Sequence, residues 1–217
     1  MSESKNEILG RIREALSDRP TPPQVERTYR RTSELSREQA VEMLVDRLVD
    51  YKANVHHENL DTVAERVGEL LGEGTYVVPS GLDSGWLPAD TDARRRAVEP
   101  AVGEGEPFDV RTLDSFAAVV TSSTVSCAET GTIFLTGRPE EGRRAISLVP
   151  DHHVCIVPLD SVVELFPEAL ARVEPTSVVT MISGPSATSD IELERVEGVH
   201  GPRTLDVILL DTGSSEG

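Results

Sequence analysis

The stretch Val154-Cys155-Ile156-Val157 is a continuous apolar run between His153 and Pro158, and it decides the fold class. A run without polar interruption is typical of a strand that is covered on both faces. Similar short runs, separated by loops that contain glycine or proline, lie at 75–78, 117–120, 133–135, 145–149, 177–182 and 205–210. The pattern predicts a set of buried strands.

Apolar residues at helical spacing lie ahead of these runs and between them. Residues 36–50 predict a helix with Ser36 as its N-cap, and residues 60–71 predict another that stops at Gly72. A further helix is expected over 159–173, and a weak strand over 108–111. Helices ahead of and between buried strands indicate an α/β protein.

The first 37 residues differ in composition from the rest. Ser4 and Glu7 fit a capping box at the start of an amphipathic helix, and prolines at 20, 22 and 23 then mark a linker. The helix docks either on its own domain or on another subunit. We expect three segments: an N-terminal helix and linker at 1–37, one domain at 38–211, and a disordered polar tail at 212–217.

The formal net charge is −17, with two lysines, Lys5 and Lys52, among 21 basic residues. We therefore expect neither nucleic acids nor anionic membrane surfaces as partners, because both require a basic surface. High acidity with so little lysine favours adaptation to a salt-rich cytoplasm, with a GC-rich genome as the alternative explanation.

Two cysteines, Cys127 and Cys155, are too few for a four-cysteine iron–sulfur cluster, and no zinc-binding spacing occurs. We therefore expect no metal site and no cofactor carried by this chain. No signal peptide and no apolar run of about 20 residues is present, which predicts a cytoplasmic protein without membrane insertion.

Loops between the predicted strands carry the residues that could perform chemistry. In Ala128-Glu129-Thr130-Gly131-Thr132, Gly131 permits a sharp turn or a close approach to a ligand, and Glu129 could act as nucleophile or base. A tight turn in which Glu129 caps local amides is the structural alternative.

Two further loops offer similar alternatives. His153 stands at a strand entrance, where it either binds an anion or is a satisfied structural histidine. Ser183, Gly184 and Ser186 precede Asp190; a helix starting near residue 188 would favour a bound anion, whereas a plain helix cap is the alternative. His200 stands between two glycines on a predicted turn. No nucleophile elbow is present.

Four motifs in order resemble the LUD (lactate-utilisation) domain family, closest to its small C-type members. They are Ala128-Glu-Thr-Gly-Thr132, Leu148-Val-Pro150 with His153, Ile182-Ser-Gly-Pro-Ser186 with Asp190-Ile-Glu192, and Gly198-Val-His-Gly-Pro202. The resemblance implies a fold similar to the NagB/RpiA/CoA-transferase group, with an open, mostly parallel sheet and helices on both faces. It also implies a role in oxidising L-lactate to pyruvate beside partner proteins that carry iron–sulfur clusters.

The residues and the resemblance together leave three functions open. The first is an accessory component of that lactate-oxidising system, binding a small anionic metabolite in a loop pocket. The second is a CoA-transferase-like enzyme that acts on a small acid or acyl-CoA through Glu129. The third is a ligand-sensing or assembly module without catalysis. The candidate ligand-binding residues are Thr130, Gly131, Thr132, His153, Ser183, Gly184, Ser186, Asp190 and His200.

Overall fold

A computed structural model describes residues 3–18, 24–101, 103–189, 195–197 and 201–213. The chain divides into two compact units, Met1–Arg30 and Arg31–Gly217. The first unit contains helix α1 (Glu3–Ala15), in which Arg11 and Glu7 form an ion pair of 2.7 Å one turn apart. None of the helices in the described ranges is long and apolar enough to span a membrane.

The second unit holds the remaining helices and the strands that are described. The helices are α2 (Arg37–Asp50), α3 (Val63–Leu71), α4 (Val110–Asp114) and α5 (Phe166–Ala171). The strands are β1 (Asn54–Asn59), β2 (Gly74–Pro79), β3 (Arg94–Glu99), β4 (Ala118–Thr121), β5 (Val125–Cys127), β6 (Thr132–Leu135), β7 (His152–Pro158), β8 (Val162–Val163), β9 (Thr180–Ile182), β10 (Ala187–Ser189), β11 (Arg195–Glu197) and β12 (Thr204–Asp211).

The main sheet has six strands in the order β1-β12-β7-β4-β2-β3, and every neighbouring pair is parallel. The sheet is open, which confirms the predicted α/β class. The run that indicated this class forms β7, whose residues 153–157 are all buried. Successive side chains of a strand point to opposite faces, so β7 supplies both sides of the core.

Helices cover both faces of this sheet. On one face, α3 packs through Val63 and Val67 into a cluster that contains Val154 and Ile156. On the other face, α2 packs through Leu44 and Leu48 into a second cluster, which contains Cys155, Val157, Val207 and Leu209. Ser36 caps α2 as predicted and forms a capping box with Gln39.

A smaller sheet of four strands, in the order β8-β5-β6-β9, lies on the α2 side. Strands β5 and β6 form an antiparallel hairpin, and β9 extends it in the antiparallel sense. Ile133 of β6 joins the core beneath α2, so the small sheet shares that core. The sequence did not predict this sheet, because three-residue apolar runs do not distinguish parallel from antiparallel pairing.

The structure corrects two predicted elements ahead of β7. The expected strand at 108–111 is wrong, because the Asp109 carboxylate caps Thr112 and starts α4 instead. The apolar run at 145–149 forms turns, in which the buried Ile146 joins a core cluster with Leu113.

Two predicted helices are also wrong. Residues 159–173 do not form one continuous helix, since β-branched Val162 and Val163 pair with β5, and α5 begins only at Phe166, next to Pro167. The helix expected near residue 188 is replaced by strand β10, which pairs with β11.

Candidate functional site

The predicted Ala128–Thr132 motif forms the turn of the β5–β6 hairpin. Gly131 has a φ of +59°, and a Cβ there would lie 2.7 Å from the Cβ of Arg47 on α2. Most side chains avoid this backbone region, so glycine serves both the turn and the close contact with α2. Glu129 is exposed, and its amide donates to the Glu164 carbonyl at 3.0 Å.

The Ser183–Ser186 motif lies beside this hairpin. Thr132 Oγ1 and Ser183 Oγ are 2.9 Å apart, so hydroxyls from two separate motifs form one hydrogen bond. Gly184 has a φ of +83°, and a Cβ there would lie 2.6 Å from the Cβ of Tyr51. Both motif glycines therefore allow close packing against the C-terminal end of α2.

A cavity of about 120 Å³, called the loop pocket below, brings several predicted residues together. His153, Ser183, Gly184 and Ser186 line it, and Gly201 closes it near the amino ends of β7 and β12. Glu129, Thr130 and Gly131 are not among its lining residues, and Thr132 reaches it only through Ser183. Asp190 and His200 lie outside the described residues.

His153 is the titratable group of the loop pocket. It is fully buried, and its Nε2 lies 2.8 Å from Thr121 Oγ1. Its Nδ1 has no hydrogen-bond partner among the residues that the structure describes. Burial lowers the pKa of His153 to about 3, and His152 acts in the same direction. His153 is therefore neutral at physiological pH and supplies hydrogen bonding rather than charge.

The described lining of the loop pocket contains no arginine, lysine, aspartate or glutamate. Its remaining lining residues include Leu148, Met181 and Leu205, which are apolar. An anion placed there would lose its hydration without gaining a cationic partner from these residues, which is unfavourable. The described part of this pocket suits a neutral or weakly polar group.

A second site lies at the other end of the main sheet, at the carboxyl ends of its strands. Within the main sheet, the strand that follows β2 in the chain is its outer neighbour β3. The main-sheet strand that follows β4 is β7, which lies on the other side of β4. Adjacent strands whose connections diverge leave a crevice at their carboxyl ends, and open α/β sheets bind ligands there. The segments that follow these strands are Ser80-Gly81 and Ser122-Ser123-Thr124.

The segment 138–140 connects the two sides of this crevice. The Gly81 amide donates to the Pro139 carbonyl at 3.1 Å, and the Ser122 amide donates to the Glu140 carbonyl at 3.0 Å. Arg138 is thereby held at the point where the connections diverge. We call the resulting cavity the switch-point cleft; its volume is about 690 Å³.

A buried carboxylate fixes the loop that carries Arg138. Glu141 is 1% exposed and accepts hydrogen bonds from the amide of Thr136 at 2.6 Å, the amide of Arg138 at 3.1 Å and Oγ1 of Thr124 at 2.5 Å. Hydrogen bonds from amides and hydroxyls compensate for the loss of water around a buried carboxylate. Glu141 therefore orders the floor of the cleft.

Two arginines, Arg138 and Arg172, line the switch-point cleft. The Arg172 guanidinium donates to the Asp160 carbonyl at 3.0 Å, which places it beyond the carboxyl end of β7. In the described part of the chain, no partner for the Arg138 guanidinium is found. The cleft also contains Ser123, whose buried hydroxyl has no hydrogen-bond partner among the described residues.

Sequence reasoning missed this cleft, although one signal was present. Ser122-Ser123-Thr124 follows an apolar strand directly, and hydroxyl-rich segments at strand ends often serve ligands. Arg138 and Arg172 are far away in sequence, and only the fold brings them to the same edge.

A histidine–aspartate–histidine arrangement lies at the amino ends of the strands of the main sheet. The two carboxylate oxygens of Asp206 lie 2.9 Å from His56 Nε2 and 2.7 Å from His152 Nε2. Burial alone would raise the pKa of Asp206, but hydrogen bonds from His152 and His56 lower it on balance. Nowhere in the described ranges do three or more histidine, cysteine or acidic side chains form a metal-binding group.

Comparison with known proteins agrees with this architecture. A family model described as the LUD domain matches residues 41–210. The chain is 38% identical over 214 residues to Lactate utilization protein C of Deinococcus radiodurans, covering 96% of each chain. It is 36% identical over 101 residues to the protein of the same name from Macrococcus caseolyticus, covering 42% of this chain and 43% of that protein.

A solved structure also matches. The crystal structure of a DUF162 family protein from Deinococcus radiodurans has a TM-score of 0.66 at 32% sequence identity, covering 81% of this chain and 99% of that chain. All three comparisons support the family resemblance that the four sequence motifs indicated: the family model, the relative that matches over 96% of both chains, and the solved structure. The chain therefore belongs to the LUD domain family.

Proposed function

We propose that this protein is a component of the system that oxidises L-lactate to pyruvate, and that it acts with iron–sulfur proteins. The observation that carries the proposal is the 38% identity to Lactate utilization protein C over 96% of both chains. A likeness of that extent includes the strands, the small sheet and the loops of both cavities, so it is not limited to one shared motif.

The cysteines of the chain support the proposal that other proteins carry the iron–sulfur clusters. The sequence has two cysteines. Cys127 lies in the small sheet and Cys155 in the main sheet, and both are free and buried. Burial raises the pKa of Cys155 to about 12, which keeps this thiol protonated and unreactive. We therefore assign the iron–sulfur clusters of the proposed system to partner proteins.

The metabolite in this proposal is a small organic anion. Of the two cavities, the switch-point cleft offers arginines, whereas the described lining of the loop pocket has none. Guanidinium groups bind carboxylates through paired, charge-assisted hydrogen bonds. The geometry favours the cleft for an anion, and a ligand in the loop pocket stays a prediction.

The alternative enzyme, acting through Glu129, finds no comparable support. Glu129 lies on the exposed hairpin turn and is not a lining residue of the loop pocket or of the cleft. A carboxylate that attacks an acyl group needs a site that holds the substrate against it. This function remains a prediction from the sequence.

A genetic complementation experiment tests the proposed function. The gene is deleted in the organism that encodes it, and growth is compared on L-lactate and on glucose as carbon source. We expect growth to be lost on L-lactate alone and restored by the wild-type gene. Unchanged growth on L-lactate after deletion would contradict the proposal.

A further inference from the structure

We propose that the switch-point cleft binds a 2-hydroxy or 2-oxo carboxylate, with the carboxylate held between Arg138 and Arg172 and with Ser123 donating to it. This inference rests on the proposed function for the choice of lactate and pyruvate as ligands. The location of the site and the roles of its residues rest on the structure of the cleft.

The first support is the placement of Arg138. Backbone hydrogen bonds at Gly81 and Ser122 fix the segment 138–140 across the ends of β2 and β4. The buried Glu141 carboxylate holds the Arg138 amide. The guanidinium itself has no partner within the described ranges. A rigidly held backbone with an uncommitted cationic side chain is the arrangement that an anion site requires.

The second support is Ser123. This residue is 6% exposed and lines the cleft, and its hydroxyl has no hydrogen-bond partner among the described residues. A buried hydroxyl without a partner is unfavourable, so such groups in folded proteins usually indicate a water or ligand. Ser123 is the second residue after β4 and therefore lies at the carboxyl end of that strand.

The charges of the lining select the class of anion. Besides its two arginines, the cleft is lined by the acidic residues Asp83, Glu140 and Asp160. Two positive and three negative charges disfavour a phosphate dianion. A monoanionic carboxylate is repelled less by the three acidic groups, and a neighbouring hydroxyl can donate to one of them, whereas an oxo group can accept from a serine.

The net charge of −17 does not prevent such binding. At physiological ionic strength, charges more than about 8 Å from the ligand are largely screened. The charges of the cleft lining, two arginines and three acidic residues, therefore affect the affinity more than the net charge does. The volume of about 690 Å³ leaves room for a small carboxylate together with bound water.

The test is isothermal titration of the purified full-length protein with L-lactate, pyruvate and inorganic phosphate at fixed ionic strength. We expect a carboxylate to bind and phosphate to bind at least about tenfold more weakly. Arg138→Gln and Arg172→Gln should each weaken carboxylate binding about tenfold or more, because each removes a charge-assisted contact. Ser123→Ala should weaken it about threefold to tenfold.

Arg95→Gln is the matched control, because it removes the same charge as Arg138→Gln from a residue that is exposed on the edge strand β3. It should leave binding within about twofold of wild type, and thermal melts should show that each variant is folded. Three outcomes would overturn the inference: no carboxylate binding, tighter binding of phosphate, or binding that Ser183→Ala weakens and Arg138→Gln does not. All three leave the growth experiment, and with it the proposed function, unaffected.

Discussion

The Gly81 amide donates to the Pro139 carbonyl at 3.1 Å, and a Cβ on Gly81 would lie 2.4 Å from the Pro139 Cβ. This contact joins the end of β2 to the segment that carries Arg138. The backbone of Pro139 is nearly as close, with its carbonyl carbon 2.6 Å from the same Cβ position. A side chain at position 81 therefore has to displace main chain.

The Gly81→Ala substitution should destabilise the protein by about 1–3 kcal/mol, the usual effect of overpacking a fixed contact. It should also weaken carboxylate binding, because the displaced segment carries Arg138. Urea unfolding and titration calorimetry measure the two effects. Gly10→Ala on α1 is the control, since no described atom outside the backbone of its own helix lies within 4 Å of its Cβ position and alanine favours a helix.

The Glu141→Gln substitution should lower the free energy of unfolding by about 1–3 kcal/mol. The amides of Thr136 and Arg138 and the Thr124 hydroxyl all donate to this carboxylate. The oxygen of a glutamine can accept from the two amides, but its NH2 group then faces the Thr124 hydroxyl, which can no longer donate to this side chain. The remaining hydrogen bonds also lose the strength that a charged acceptor gives them. Urea unfolding at pH 7 checks the prediction, with Glu140→Gln on the neighbouring residue as control; equal losses in both variants would refute the role of Glu141.

His153 should make stability depend on pH below neutrality. The folded-state pKa of His153 is lowered to about 3 from its ordinary value of 6.5. Between pH 3 and pH 6.5, this histidine therefore binds a proton in the unfolded chain but not in the folded chain. The contribution of His153 to the free energy of unfolding is fully present above pH 6.5. It is lost as the pH falls towards 3, at up to about 1.4 kcal/mol per pH unit.

Urea midpoints at pH 7.0, 6.0 and 5.0 measure this slope. The His153→Gln variant should show a shallower decline than wild type, whereas His57→Gln, at an exposed position on β1, should retain the wild-type decline. Identical slopes in all three proteins would show that His153 does not resist protonation in the folded state.

The Asp206→Asn substitution should destabilise the protein by about 1–3 kcal/mol, because an amide cannot accept from both His56 and His152 through oxygen. Asp206 lies at the amino ends of the strands, away from the switch-point cleft. Chemical unfolding should report the loss, while lactate and pyruvate titrations at 25 °C should be unchanged. A parallel loss of ligand affinity would mean that the two edges of the sheet are coupled.

The fold was predictable where a physical signal was local and strong. The buried runs 118–120, 154–157 and 207–210, which lie in β4, β7 and β12, have no polar interruption, so burial on both faces follows from composition alone. Strand β1 gave no such signal, because its sequence contains His56 and His57 and its side chains are exposed or half-buried. Its pairing with β12 places it in the sheet.

The site was predictable only in part, for a similar reason. Thr132 and Ser183 were recognised from separate motifs, and the structure joins them through one hydrogen bond. The cleft depends on the order of the strands, which a single sequence does not give. Arg138 follows a glycine in a loop and resembles any solvated arginine until β2 and β4 are known to be neighbours.

The two buried thiols provide separate reporters of how the molecule opens. Cys127 belongs to the hairpin of the small sheet and Cys155 to the centre of the main sheet, and each is completely shielded from solvent. An alkylating reagent can reach either sulfur only after the surrounding strands separate. Timed labelling followed by peptide mass spectrometry would therefore distinguish a hairpin that detaches first from a molecule that unfolds in a single step.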